Sequence, residues 1–276
     1  MAVKIVTDST WDLTPELAAQ LDVTVVPLSV LFGEEAYKDG VEITREAFFE
    51  RLVNGPVHPT TSQPSIGDFA AVYKELVDQG HEIVSVHISD KLSGTLNSAR
   101  AAKQDLPDAT ITLVDSATAA LALGLVVKAA AEAAQAGKTH AEVVAVAEDA
   151  AEKTKVYFIL DTLTYLQKGG RVGKAQALIG GLLSIKPILT VHDGLVEPYE
   201  KVRSRAKGIA KLKEIAAKGA PYAELGVIFE GESEVVADLT NVLSGLTDKP
   251  VLPGKIGSVI GVHTGPDVVG LALRRA

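Results

Sequence analysis

The chain has 276 residues, 47% of them hydrophobic, with 6 Phe, 6 Tyr, 1 Trp, a formal net charge of -8 and no cysteine. That composition excludes disulfides, thiolate nucleophiles and Cys-ligated metal, and it argues against a broad cationic surface for nucleic acid. The first apolar residues include Lys4 where a secretory signal would be uncharged, and the purest apolar stretch, Ala117 to Val127, is shorter than the ~20 residues of a membrane span. The expectation is a soluble cytoplasmic protein with an aliphatic core.

In chain order, Val3–Thr7 predicts a strand, and Thr14-Pro15-Glu16 predicts an N-cap, a proline at the first helical position and an early acid for a helix to about Leu21. Val23–Leu28 is the next strand, followed by a polar, Gly-punctuated stretch, Leu31–Asn54, with a short helix around Phe48 and Phe49. Ser65-Ile-Gly-Asp68 is a capping arrangement for a helix to Gln79. Ile83–Ile88 reads as a strand, Ser93–Gln104 as a helix, Thr110–Val114 as a strand and 117–136 as an Ala-rich helix. Thr139-His-Ala-Glu142 then forms a capping box for a further helix. Alternating strands and helices of this kind build βαβ units, so residues 1–155 are expected to form a three-layer α/β/α domain with a mainly parallel sheet.

From Val156–Leu160 the rhythm changes. Lys186–Val191 and Leu195–Arg203 flank His192-Asp193-Gly194, a hairpin signal. Helices are predicted over Ala206–Lys218 and Ser233–Ser244, and strands over Leu225–Phe229, Lys255–Ile260 and Val268–Leu273. Residues 156–276 are therefore expected to form an α+β domain with a mixed or antiparallel sheet.

Four segments are candidates for chemistry. Thr60, Thr61, Ser62 and Ser65 place four hydroxyls before a predicted helix, where dipole and free N–H groups can hold a carboxylate without an arginine; a solvated loop with a capping Ser65 accounts for them equally. Ser93-Gly94-Thr95-Leu-Asn97 repeats that chemistry at the C-terminal edge of a strand, where open α/β sheets bind ligands. Gln167 to Lys174 suggests a phosphate loop, but Lys168 stands where the first Walker glycine belongs and Ala175 where Ser or Thr must follow the lysine. Its glycine pair instead ends a short helix and projects Arg171. Arg203 closes a hairpin arm, and His263 lies in a loop between two predicted strands. No HxH or HExxH spacing supports a transition-metal site.

Taken together, Asp8-Ser9-Thr10-x-Asp12-Leu13, Thr61-Ser-Gln-Pro-Ser65, Leu92-Ser-Gly-Thr95 with Asn97-Ser98-Ala99, Gly169-Gly-Arg171, Lys186-Pro-Ile-Leu189 and Gly261-x-His-x-Gly-Pro266 resemble the DegV family of fatty-acid-binding proteins, the lipid-binding (FakB-type) subunits of bacterial fatty acid kinase. One departure is Asp267, where that family commonly has another glycine. The resemblance implies a two-domain fold with a long-chain fatty acid buried between the domains and no cofactor. It assigns the carboxylate to Thr61 and Ser93, with Ser62, Gly94 and Thr95 beside them, and a phosphate- or kinase-facing mouth to Arg171, Arg203 and His263. It further implies that phosphate is transferred by a separate ATP-dependent kinase subunit, the acyl phosphate feeding phospholipid synthesis, with at most transient contact with a membrane surface. Two alternatives stay open: an autonomous small-molecule phosphotransferase or hydrolase using His263, and a lipid-responsive regulatory module.

Overall fold

Side-chain alternation in the first strand sets the layering of the first half. The computed structural model describes residues 2–178, 186–231 and 233–276. In chain order the first half runs β1 (Val3–Asp8), α1 (Pro15–Leu21), β2 (Val23–Val26), β3 (Ser29–Phe32), β4 (Glu35–Lys38), α2 (Arg45–Asn54), β5 (Thr60–Ser62), α3 (Ile66–Asp78), β6 (Glu82–His87), α4 (Thr95–Gln104), β7 (Ile111–Asp115), α5 (Leu121–Gln135) and α6 (His140–Lys153). Strands pair in the order β2-β1-β6-β7, all parallel. Ile5, Val84 and Val86 bury one face against α5 and α6, while Val6 and Ile83 bury the other against α3 and α4. This period-two split makes a three-layer sandwich. The predicted caps are present: Thr14 accepts from Leu17 N–H, and Ser65/Asp68 and Thr139/Glu142 form reciprocal capping boxes.

The stretch expected to be largely irregular contains a small antiparallel sheet, β4-β3-β5, in which Thr61 pairs with Val30. Thr61 therefore sits on a strand, not on a loop beside a helix N-terminus.

The second half runs β8 (Thr154–Ile159), α7 (Thr164–Lys168), β9 (Lys186–His192), β10 (Leu195–Val202), α8 (Arg205–Gly219), β11 (Tyr222–Phe229), α9 (Glu234–Ser244), β12 (Leu252–Lys255), α10 (Ser258–Thr264) and β13 (Val269–Arg275). Its mixed sheet is ordered β10-β9-β8-β13-β11-β12, antiparallel except for β11 with β12. The β9–β10 hairpin turns on Asp193 and Gly194, both at positive φ. The predicted strand Lys255–Ile260 is a misreading: β12 ends at Lys255, and Val259 and Ile260 lie in α10. Two β-branched residues suggested extension, but tertiary contacts override that weak preference.

Helices α8 and α9 cover one face of this sheet through Leu212, Ile215, Leu239 and Leu243. The other face turns Val156, Phe158, Val191 and Ile228 toward the first half. Helix α5 packs there closely: a Cβ on Gly226 would lie 2.2 Å, and one on Gly254 2.7 Å, from atoms of Leu121. The same helix sends Lys128 to the buried Glu224 of β11, which also accepts from Arg274 at 2.8 Å.

Candidate functional site: an aliphatic cavity with a polar end

Against the inner face of the six-stranded sheet lies a cavity of about 840 Å³, including its open mouth, within the range of small-molecule sites. Of the twenty-one described residues that line it, fifteen are aliphatic or Phe, drawn from both halves of the chain. Ala119 and Ala120 contribute from the turn before α5. Ala120 has φ +58° and ψ -152°, a conformation nearly reserved for glycine, so backbone strain is stored at the cavity wall.

The polar lining is confined to Thr61, Gln63, Ser93, Arg171, His263 and Thr264. Thr61 Oγ1 lies 3.0 Å from His263 Nε2, joining β5 to α10. Burial first, then the nearby charge of Arg171, pushes His263 down to about 4, so its ring is neutral near pH 7. Its Nδ1 is buried without a partner and packs on Gly169, where a Cβ would come within 2.1 Å. Gly169 is thus fixed by ring contact and Gly170, at φ +69°, by backbone conformation. Arg171 N–H donates to Leu166 C=O and Gly170 N–H to Gln167 C=O, the Schellman closure of α7. The glycine pair does end a short helix.

Ser93 Oγ is 2.8 Å from Thr95 Oγ1 and accepts from Thr95 N–H. The buried Thr95 orients Ser93 at the start of α4, whose N-cap, Gly94, supplies no side-chain cap. Gly94 packs on Gln63, a Cβ there lying 2.7 Å from its Nε2. Arg171 turns back to donate from Nε to Leu92 C=O and from Nη1 to Gly169 C=O. Leu92, Ser93 and Arg171 line both the apolar cavity and a polar outer cleft of about 610 Å³ that also includes Lys91 and Gly170. They mark the mouth.

Residues 2–276 match the family model described as "Uncharacterised protein, DegV family". The chain belongs to the DegV family. It is 42% identical to a DegV domain-containing protein of Deinococcus radiodurans over 99% of this chain and 98% of that one. Among solved structures, it matches a DegV-family protein from Thermus thermophilus, described as fatty-acid binding, with TM-score 0.92 and 38% identity over all of both chains. A stearic-acid-binding protein from Eubacterium ventriosum matches with TM-score 0.89 and 30% identity over 99% of this chain and 98% of that one. The DegV fatty-acid-binding protein of Bacillus subtilis matches with TM-score 0.88 and 34% identity over all of both chains.

Within this DegV fold, the remaining site candidates separate. Ser62 is exposed, lies outside the cavity and donates to Gln63 C=O. Arg203 is exposed and lines neither the cavity nor the cleft. His263 is on α10, not in a loop, and it is no cation, because the ring is desolvated. Asp267 has no positive φ that would require glycine; its C=O accepts from Arg205 at 2.8 Å. Gln63, Lys91 and Thr264 escaped the sequence reading. Of these, only Gln63, inside the Thr61–Ser65 motif, carried a usable signal. No helix among the described residues is long and apolar enough to cross a membrane, and they contain no group of three or more potential metal ligands.

Proposed function

We propose that the chain binds a long-chain fatty acid, its tail in the aliphatic cavity and its carboxylate at Thr61 and Ser93, and presents that carboxylate to a separate kinase. The observation that carries this reading is a cavity lined by apolar residues whose few polar groups gather at one end, beside a mouth opening on a polar cleft. About 14 methylenes at ~0.8 kcal/mol each contribute on the order of 11 kcal/mol before ordering and association costs. The tail then supplies affinity and the polar end supplies orientation.

A buried carboxylate needs donors. With its proton on Nε2, neutral His263 donates to Thr61 Oγ1 and leaves the threonine hydroxyl hydrogen for the ligand. Ser93 donates from the opposite loop. Neither hydroxyl clamps both carboxylate oxygens as an arginine would, so one oxygen remains to attack a phosphoryl donor. Arg171 and Lys91 then stand in the cleft where the added phosphate charge would sit. On this reading the two halves of the chain, 1–155 and 156–276, close on the acyl chain from either side, phosphoryl transfer belongs to the partner, and the acyl phosphate leaves for phospholipid synthesis.

Native mass spectrometry with lipid extraction tests binding: the purified protein carries or takes up one fatty acid, and absence of both refutes the reading. Arg171→Ala is expected to spare lipid uptake and to slow phosphorylation by the kinase. Turnover of ATP and fatty acid by the isolated chain would point instead to an autonomous enzyme.

A further inference from the structure

Helix α10 carries Val259, Ile260, His263 and Thr264 into the cavity wall, yet its N-terminus is held by the first half of the chain. Asp12 Oδ1 accepts from Gly257 N–H at 2.9 Å, and Asp39 Oδ1 accepts from Ser258 N–H at 3.2 Å. A Cβ on Gly257 would lie 3.3 Å from Asp12 Oδ1 and 3.5 Å from Asp39 Oδ2, so both carboxylates converge on Gly257. They are only 7% and 6% exposed. Six other helices, α1, α2, α3, α6, α8 and α9, are capped by their own Ser or Thr, whereas α10 has glycine there and borrows two acids from distant sequence.

The arrangement is costly to keep. Asp12 adopts φ +52°, its Oδ2 is buried without a partner, and burial and then the negative charges of Asp39 and Asp8 push its pKa up. Further along α10, Gly261 packs under the rings of Phe48 and Phe49, and the Thr61–His263 contact closes the next turn. The carboxylate pair is thus the anchor at one end of a helix whose other end shapes the polar site.

We propose that Asp12 and Asp39 are positioning residues that fix α10 against the first half of the chain and so hold His263 against Thr61 at the polar end of the cavity, setting how fast a bound fatty acid leaves. This rests on the fatty-acid reading above. The carboxylates touch no ligand; they act through the helix, by complementing its N-terminal N–H groups.

The test uses Asp12→Gly, which removes the carboxylate but tolerates the positive φ, combined with Asp39→Ala. Ser204→Ala, loss of the α8 cap on the far face of the sheet, is the control. Release of the fluorescent fatty acid cis-parinaric acid is measured by stopped flow, and the His263 ring is titrated by NMR in the unliganded protein. The double variant is expected to release ligand about tenfold faster, and its His263 titration to move up from about 4 toward the ordinary value of 6.5. A folded double variant with release unchanged within about twofold and an unmoved titration overturns the proposal, as does equal acceleration by Ser204→Ala. Should the double variant not fold, Asp12→Gly and Asp39→Ala are made singly; each leaves one α10 N–H without its acceptor and is expected to speed release about threefold, and no change in either overturns the proposal. If the wild-type chain takes up no fatty acid, the functional reading fails while the His263 titration still decides the role of the carboxylates.

Discussion

Thr61→Val removes one hydroxyl from the polar end of the cavity and keeps the volume. In the wild type that hydroxyl makes a 3.0 Å contact with His263 Nε2, while His263 Nδ1 already lacks a partner. The variant therefore leaves the ring with both nitrogens unpaired and deprives an incoming carboxylate of one donor. A hydrogen bond to a charged group contributes about 1.5–3 kcal/mol, a roughly ten- to hundredfold loss of affinity. The tail contacts are untouched, so the residual binding is that of the aliphatic cavity. The assay is titration of palmitic acid and of its methyl ester, which has the same tail and no charge. Thr61→Val is expected to weaken the acid by that factor and the ester by less than about threefold. Ser93→Ala should behave alike, and the double variant should show whether the two hydroxyls act on one carboxylate through non-additive losses. Equal weakening of acid and ester, or an unaffected acid, refutes the placement of the carboxylate at Thr61.

Gly169→Ala puts a methyl group 2.1 Å from His263 Nδ1, and the resulting overpacking is expected to destabilise the fold by about 1–3 kcal/mol and to weaken fatty-acid binding. Gly170→Ala, which meets no neighbour but holds φ +69°, should lower stability and spare binding, so equal effects in calorimetry and titration refute the ring-contact argument. Burial pushes Glu224 up, but Lys128 and Arg274 outweigh it and hold its pKa below the ordinary 4.5; its stabilisation is therefore present above that value and lost as pH falls through the folded pKa. Glu224→Gln is expected to cost about 3–5 kcal/mol in urea unfolding at pH 7 and to flatten the acid limb; an unchanged limb refutes it. Ser85→Ala is expected to leave any ester hydrolysis by the protein unchanged while costing about 1–3 kcal/mol, because it unpairs Tyr73 and His87.

Local signals made much of the fold legible. Thr14-Pro15, Ser65–Asp68 and Thr139–Glu142 announce helix starts through groups that satisfy their own backbone, and Asp193-Gly194 announces a hairpin through its positive φ values. What stayed hidden depends on partners far away in sequence. Strand β3 is completed by Thr60–Ser62, and the run from Lys255 to Ile260 breaks at Gly257, where Asp12 and Asp39 hold the N–H groups of Gly257 and Ser258. The site divides along the same line. Thr61, Ser93 and Arg171 stood in recognisable motifs and meet at the cavity, whereas the neutrality of His263 follows from burial that spacing along the chain does not encode.

The Asp8-Ser9-Thr10 motif shows how geometry without access differs from a catalytic site. Ser85 Oγ lies 2.6 Å from His87 Nε2, and His87 Nδ1 lies 3.0 Å from Asp8 Oδ2, the distances of a Ser-His-Asp triad. All three residues are fully buried, Ser85 also meets Tyr73 OH at 2.8 Å, and none lines the cavity. A nucleophile needs a reacting atom about 3 Å away, and here that volume is filled by protein. Asp8 instead accepts from Ile88 N–H at 3.0 Å, just where β6 passes into the Ser89–Ser93 loop, and Ile88 and Ser93 both line the cavity. From this position the chain of hydrogen bonds fixes the strand end from which the Ser89–Ser93 loop departs, so the motif serves the cavity through the backbone and not through its own chemistry.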